Sequence, residues 1–321
     1  MKTDEAAIDC QPYATLLEEL RGSLPAVPRN DLQGFLIHAA TASRRLPSQL
    51  GERLDQFRTH SNHSGYLLLR GLPIVQTEVP ETPRAEPEPA ERPLMAAEAW
   101  LALLGSRLGL AIGYRESWHG SVLQDVVPSP SVPHPPVGAP LSALRFHTDL
   151  PYHRHQPDYV MLACSRTDPG RVAATMVASA RRVIPQLAEA DRRLLHDELI
   201  PCRVDPAFRD AHSTPGDVRV RVLSGPQDDP HLAYDRELLD PGTDATRAVL
   251  HRLSETVDRT ATGEHWQAGD VLIVDARRTT YACVPYTTTW DGRDRWLHRL
   301  FIRDPLRHTG AVVPFAPAEP R

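Results

Sequence analysis

Residues 144–149 read LRFHTD, so a histidine and an aspartate stand two positions apart just before a turn at Pro151. Side chains alternate along a strand, and His147 and Asp149 would therefore share one face at a strand end. An imidazole and a carboxylate are two of the three ligands of the facial triad that holds iron(II) and leaves positions open for other ligands. An isolated HxD motif more often marks a surface turn capped by aspartate, so the rest of the chain must decide between the two interpretations.

The composition is that of an ordinary globular protein that acts on small molecules. The chain has 321 residues, 41% hydrophobic and 24% charged, with a formal net charge of -5. These values exclude wholesale disorder, and the lack of a basic excess argues against nucleic acid as a partner. The acidic N-terminus and the absence of an apolar run of about 18 residues predict neither secretion nor a membrane span, so we expect a cytoplasmic protein.

The cysteines are spread widely and contain no CxxC pair. This spacing predicts neither a disulfide framework nor a zinc knuckle. We expect each of the four to be a reduced, buried thiol: Cys10, Cys164, Cys202 and Cys283.

Short strand-like runs dominate the middle and end of the chain, and helical periodicity is strongest near its start. Strands are predicted at residues 65–71, 159–164, 172–178, 218–223, 232–234, 271–275 and 296–303. Helices are predicted at residues 13–24, 46–57, 94–108, 185–199 and 245–262. Many short strands with helices in insertions favour a mainly β (α+β) fold, a cupin-like jelly roll buttressed by N-terminal and inserted helices.

The chain is predicted to form one domain over residues 1–321. Its parts are an N-terminal helical part at residues 1–64, a loop rich in proline and glutamate at 73–93, and a jelly-roll core with helical insertions at 110–307. A second proline-rich loop is predicted at residues 127–140, because proline cannot donate to a helix or a strand ladder.

Two later stretches resemble the C-terminal signature of the clavaminate synthase-like iron(II)/2-oxoglutarate oxygenases. Residues 269–278 read GDVLIVDARR, and residues 291–301 read DGRDRWLHRLF. The passage from His147 to about residue 175 also resembles the metal-binding strand of that family and the strand after it. The resemblance runs from about Tyr13 to about Arg307 and implies the double-stranded β-helix fold of the amino-acid hydroxylase branch.

The resemblance implies a role for four residues. His147 and Asp149 match the first two iron ligands, and Arg295 matches the arginine that clamps the distal carboxylate of 2-oxoglutarate. A planar guanidinium suits that task because it donates two parallel hydrogen bonds to a carboxylate. Thr175 matches a hydroxyl that helps to hold the same carboxylate. We expect the groups of residues 147, 149 and 295 to converge on one cavity; the plainer alternatives are a surface salt bridge for Arg295 and strand packing for Thr175.

Tyr281 stands where the family has its second iron-binding histidine. Three interpretations stay open: a phenolate that ligates the metal, which would favour iron(III) over iron(II); a hydrogen-bonding or redox group beside a weaker site made by His147 and Asp149; or loss of the metal site. Tyr281 is thus a candidate metal ligand and a candidate catalytic residue. His298 is no replacement, because strand alternation turns it away from Arg295 and Arg299.

Three further residues match substrate contacts of the branch. Gln124, Asp235 and Arg299 are predicted to bind the polar ends of an amino acid, and Asp235 could hold a cationic group. The alternative for Asp235 is a turn-capping carboxylate. Cys283 replaces a basic residue of the family pattern, which predicts a remodelled pocket.

These observations predict a 2-oxoglutarate-dependent iron dioxygenase that acts on an amino acid or a derived intermediate in specialised metabolism, such as antibiotic biosynthesis. Its partners would be small molecules and not nucleic acid or membrane. Hydroxylation, desaturation and ring closure cannot be told apart from the sequence. The alternative hypothesis is a catalytically silent protein of the same fold that binds a ligand or a partner enzyme.

Overall fold

The fold is described from a computed structural model over residues 6–28, 30–84, 93–128, 144–205, 208 and 218–309. Its helices are α1 Ala14–Gly22, α2 Leu32–Ala42, α3 Ser48–His60, α4 Ala96–Leu108, α5 Ala180–Val183, α6 Glu189–Asp197, α7 Asp244–Thr260 and α8 Pro305–Thr309. Its strands are β1 Ala7–Asp9, β2 Tyr66–Arg70, β3 Leu110–Ile112, β4 Gln124–Val126, β5 Leu144–His147, β6 Tyr159–Arg166, β7 Ala174–Ser179, β8 Ile200–Pro201, β9 Arg219–Val220, β10 Leu223–Ser224, β11 His231–Leu232, β12 Thr262–His265, β13 Val271–Asp275, β14 Thr279–Cys283 and β15 Trp296–Arg303.

Two sheets form the framework. The larger has the strand order β1-β2-β13-β6-β15-β3, with β4 also paired to β15, and the smaller has the order β12-β7-β14-β5. Apart from the parallel pair β1 and β2, the strands of both sheets pair antiparallel. The predicted jelly roll of mainly β structure with added helices is confirmed.

Strand alternation divides the core into layers. On β2, Leu67 and Leu69 pack against helices α1 to α4, whereas Tyr66 and Leu68 face the interior that also holds Tyr281. Helices α5 to α7 cover the outer side of the smaller sheet in a separate apolar cluster. The two sheets are therefore buttressed on both outer sides, and the interior between them is left for the site.

The structure differs from the sequence-based expectations at several elements. Helix α2 and strand β14 were not predicted, β1 lies inside the part predicted as helical, and residues 218–223 form two short strands instead of one. Residues 85–92 of the first predicted loop and 129–140 of the second lie outside the described residues.

In the described part of the chain, no helix has both the length and the apolar composition needed to cross a membrane.

Candidate metal and cosubstrate site

Strands β5 and β14 bring His147 and Tyr281 directly opposite each other. The two residues are register partners, and their ring centroids lie 4.6 Å apart. Asp149 follows β5 by two positions, and Tyr281 Oη donates a hydrogen bond of 2.6 Å to Asp149 Oδ2. The three residues predicted to hold a metal therefore meet at one point.

His147 has the orientation of a metal ligand. Its Nδ1 lies 2.9 Å from the carbonyl oxygen of Arg145. A carbonyl can only accept, so Nδ1 carries the proton and Nε2 keeps its lone pair for another partner. A hydrogen bond of this kind fixes the imidazole in metal sites, so this tautomer of His147 is the one that a metal ligand needs.

Asp149 is buried, and both of its carboxylate oxygens face donors. Oδ2 accepts from Tyr281, and Oδ1 lies 3.7 Å from Arg299 Nη1. Burial and then the negative charge of Asp149 raise the pKa of Tyr281 well above its ordinary value. The raised pKa and the hydrogen bond to Asp149 Oδ2 both favour the protonated phenol over the phenolate.

The residues fit iron as a two-ligand site. His147 and Asp149 supply donors of the right kind, while the third position holds a protonated phenol. Within the described ranges, no group of three histidine, cysteine or carboxylate residues could hold a metal ion. His298 contacts Ser165 Oγ at 2.9 Å and Asp125 instead, in agreement with the prediction that it points away.

Arg295 is buried in an environment that suits the binding of an anion. It is only 6% exposed, its Nε has no hydrogen-bond partner, and no carboxylate among the described residues pairs with it. Its guanidinium lies over the rings of Trp266 and Tyr286, at 5.8 and 5.6 Å from their centroids. The salt bridge considered as an alternative does not form, because Asp291 and Asp294 bind loop donors around Thr289 instead.

Thr175 and Cys283 complete the surroundings of Arg295. They are register partners on β7 and β14, and Arg295 Nη1 lies 3.4 Å from Cys283 Sγ. Thr175 Oγ1 accepts a hydrogen bond of 2.9 Å from Trp266 Nε1 and keeps its own proton for another acceptor. A buried guanidinium beside a free hydroxyl proton suits a carboxylate ligand, so this pocket fits 2-oxoglutarate.

A cavity of about 300 Å³ borders the candidate metal ligands. It is lined by His147, Asp149, Asp235 and Arg299, together with Trp118 and Phe301 among others. Arg295 is not among the residues that line this cavity, and its convergence with His147 and Asp149 on one cavity stays a prediction. The link is made by β14, which carries Tyr281 and Cys283 two residues apart on one face.

Arg299 is held rigidly in that cavity. Its Nε donates a hydrogen bond of 2.8 Å to Gln124 Oε1, and its guanidinium lies 4.3 and 4.5 Å from the ring centroids of Trp118 and Phe301. Gln124 is buried and is not among the residues that line the cavity, so its predicted contact with a substrate stays a prediction.

Asp235 combines both interpretations given for it. Its Oδ1 caps a turn by accepting from the backbone N–H groups of Glu237 and Leu238, and the residue also lines the cavity.

The sequence-based interpretation missed the aromatic residues of both pockets. Phe301 could have been found, since it lies two positions after Arg299 on β15 and therefore on the same face. Trp118, Trp266 and Tyr286 carry no comparable local signal. Each comes from a separate part of the chain, and only the tertiary fold brings it to an arginine.

Comparisons with known proteins define the class as iron- and 2-oxoglutarate-dependent oxygenases. The chain is 46% identical to clavaminate synthase 2 of Streptomyces clavuligerus over 92% of its own length and 91% of that relative. It is 33% identical to L-asparagine oxygenase of Streptomyces coelicolor over 95% and 91%. A solved asparagine oxygenase with Fe(II), hydroxyasparagine and succinate matches with a TM-score of 0.84 at 30% identity, covering 97% of both chains.

Residues 36–301 match the family described as taurine catabolism dioxygenase TauD, TfdA family. The chain belongs to this family, whose oxygenases use Fe(II) and 2-oxoglutarate.

Proposed function

We propose that this protein is a 2-oxoglutarate-dependent iron oxygenase that oxidises an amino acid or an amino-acid-derived intermediate in specialised metabolism. The observation that carries the proposal is the buried guanidinium of Arg295, which pairs with no carboxylate among the described residues and lies next to the strand that pairs with His147. A buried charge without a partner is costly to the fold, so a ligand carboxylate is its natural counterpart. The cytoplasmic location expected from the sequence is part of this proposal.

In the proposed site, His147 Nε2 and Asp149 hold the iron, and Arg295 with Thr175 holds 2-oxoglutarate. Iron, when bound, supplies the activation of oxygen for C–H oxidation. Tyr281 serves as a hydrogen-bond donor to Asp149, as it does at 2.6 Å in the structure. This assigns it the second of the three interpretations, a group beside a two-ligand metal site.

The substrate-binding part of the proposal rests on opposite charges in the 300 Å³ cavity. Arg299 is a fixed cation that suits the carboxylate of an amino acid, and Asp235 suits an ammonium or guanidinium group. The volume lies at the lower end of the range for small-molecule sites, which favours a single amino acid over a peptide. Gln124 fixes the orientation of Arg299.

The proposal is tested by anaerobic titration of the purified protein with Fe(II) and 2-oxoglutarate, followed by admission of oxygen with a panel of amino acids. We expect iron-dependent binding of 2-oxoglutarate and formation of succinate that one class of amino acid accelerates. If 2-oxoglutarate does not bind, or if no iron-dependent succinate forms with any member of the panel, the proposed activity is wrong.

A second candidate function is a catalytically silent ligand-binding protein. The observation in its favour is that Asp149 has protein partners: Oδ2 accepts a hydrogen bond from Tyr281, and Oδ1 lies 3.7 Å from Arg299 Nη1. Elemental analysis after purification without oxygen separates the two functions: iron near one equivalent supports the oxygenase, whereas iron-free protein that still binds 2-oxoglutarate supports the silent form.

A further inference from the structure

Cys283 differs from the other cysteines in its access to solvent. Cys10, Cys164 and Cys202 are at most 1% exposed, whereas Cys283 is only partly buried. Burial raises the pKa of each of those three thiols to about 12, which keeps them protonated and inert. The expectation of four buried thiols is thus wrong at Cys283. Of the four cysteines, Cys283 should react fastest with a thiol reagent.

Cys283 also occupies a functional position. Its Sγ lies 3.4 Å from Arg295 Nη1, and it is the register partner of Thr175. Arg295 is more than nine-tenths buried, and its Nε lacks a partner. An anionic group attached to Cys283 would therefore reach the guanidinium that the proposed function assigns to 2-oxoglutarate.

We propose that Cys283 is an oxidation-sensitive modification site that closes the cosubstrate pocket. The oxidant is a peroxide: its O–O bond breaks, one oxygen bonds to sulfur, and the other leaves as water, so that the thiol becomes a sulfenic acid. A second peroxide oxidises this to a sulfinic acid with loss of another water, and the sulfinic proton goes to solvent.

The product explains why the pocket would close. A sulfinate carries a negative charge over two oxygens, as a carboxylate does, and it forms charge-assisted hydrogen bonds to a guanidinium. The sulfur of Cys283 lies 3.4 Å from Arg295 Nη1, so a sulfinate formed there would bind the guanidinium that 2-oxoglutarate needs. This inference rests on the proposed function, since it assumes that Arg295 binds the cosubstrate.

The first test is protection of Cys283 in the full-length protein. Cysteine labelling by iodoacetamide is followed by mass spectrometry, with and without 2-oxoglutarate. By mass action, 2-oxoglutarate at ten times its Kd should slow labelling of Cys283 about tenfold. Cys10, Cys164 and Cys202 serve as internal controls that stay unlabelled. Equal labelling rates in the presence of 2-oxoglutarate that demonstrably binds would overturn the inference and leave the proposed function standing.

The second test compares 2-oxoglutarate binding before and after peroxide treatment, with redox-inert Zn(II) in place of iron. Wild type should lose at least about tenfold in affinity, because a fixed anion now competes for the buried cation. Cys283→Ser should have the same affinity before and after treatment. Cys283→Asp, which imitates the sulfinate charge, should bind weakly without any peroxide.

Each outcome of the second test has a separate meaning. Equal peroxide losses in wild type and Cys283→Ser would overturn the inference, as would oxidised Cys283 with unchanged binding. If untreated wild type fails to bind 2-oxoglutarate at all, the proposed function falls and takes this inference with it. Trp266, whose ring lies 5.8 Å from the Arg295 guanidinium, provides a fluorescence signal for the binding measurement.

Discussion

Two regions of this protein differ in whether a buried charged side chain has a partner of opposite charge. In the arginine–aspartate cluster, formed by Asp158, Asp229, Asp275, Arg181, Arg277, Arg278 and Arg307, every carboxylate contacts an arginine. Asp275 is fully buried and lies 3.0 Å from Arg307 and 3.5 Å from Arg278. In the cosubstrate pocket, Arg295 is almost as deeply buried, yet no carboxylate of the described residues reaches it.

Under the proposed function, the cluster charges maintain the fold, whereas the charge of Arg295 binds a ligand. Breaking a buried pair leaves one partner uncompensated and destabilises the protein, whereas removal of an unpaired charge costs the fold little. Burial alone raises the pKa of Asp275, but Arg307 and Arg278 outweigh it and hold the pKa below the ordinary value. Mutations in the arginine–aspartate cluster should therefore lower the free energy of unfolding, whereas mutation of Arg295 should lower the affinity for the ligand.

Asp275→Asn should give the largest effect. Removing this carboxylate leaves the buried Arg307 without its carboxylate partner and takes one of two from Arg278, so we expect a loss of roughly 3–5 kcal/mol in the free energy of unfolding. Urea denaturation measures it, with the exposed Asp197→Asn as the matched control. An Asp275→Asn protein as stable as the control would show that the cluster does not stabilise the fold.

Arg295→Gln should act on the ligand alone. Loss of a charge-assisted contact worth roughly 3 kcal/mol lowers 2-oxoglutarate affinity about 100-fold, as calorimetric titration would show. The exposed Arg293→Gln is the control two residues away. Stability close to that of wild type is also expected, because no carboxylate partner among the described residues is lost. A large fall in stability with unchanged affinity would reverse the assignment of Arg295.

Tyr281→Phe should raise the affinity of the protein for Fe(II). The variant removes the hydrogen bond that Asp149 Oδ2 accepts, and a bond to a charged group contributes roughly 1.5–3 kcal/mol. Freed from this competitor, Asp149 should bind Fe(II) about tenfold more tightly in an anaerobic titration. Tyr281→His, which adds a ligand, should bind more tightly still. If Tyr281 ligates the metal directly, Tyr281→Phe will bind more weakly than wild type.

His231, beside the arginine–aspartate cluster, should give a smaller, pH-dependent effect. Burial, then Arg278 and Arg277, lower its pKa to about 4. The unfolded state, with an ordinary histidine pKa near 6.5, binds more protons, so stability falls as the pH drops from about 6.5 to about 4. After discounting for partial exposure we expect a loss of about 1–2 kcal/mol. In His231→Gln, the urea denaturation midpoint should depend less on pH across this window than in wild type. An equal pH dependence in the two proteins would show that His231 does not cause the loss of stability.

The sequence was most informative where short-range pattern decides structure. Strands β6, β13 and β15 were predicted because their apolar runs are long enough to be buried on both faces. Strand β14 was missed because its five residues, TTYAC, have little pattern of their own and are held by pairing with β5 and β7. Helix α2 was missed because its apolar residues are not confined to one face.

The site was predictable only in part, for the same reason. Resemblance brought His147, Asp149, Tyr281 and Arg295 into consideration, and the first three do meet. The bond between Tyr281 and Asp149 joins residues 132 positions apart, and no local pattern encodes its direction or the protonation of the phenol. The position of Arg295 relative to the substrate cavity likewise depends on how the two sheets pack.

The placement of Tyr281 and Cys283 on one face of β14 has a practical consequence for redesign. Tyr281 donates a hydrogen bond to Asp149, the proposed metal-binding carboxylate, and Cys283 stands beside Arg295, the proposed cosubstrate arginine. A single five-residue segment therefore carries both functions. Exchange of that segment for the one in an active relative would retune metal uptake and oxidant tolerance together, without altering any residue of the surrounding scaffold.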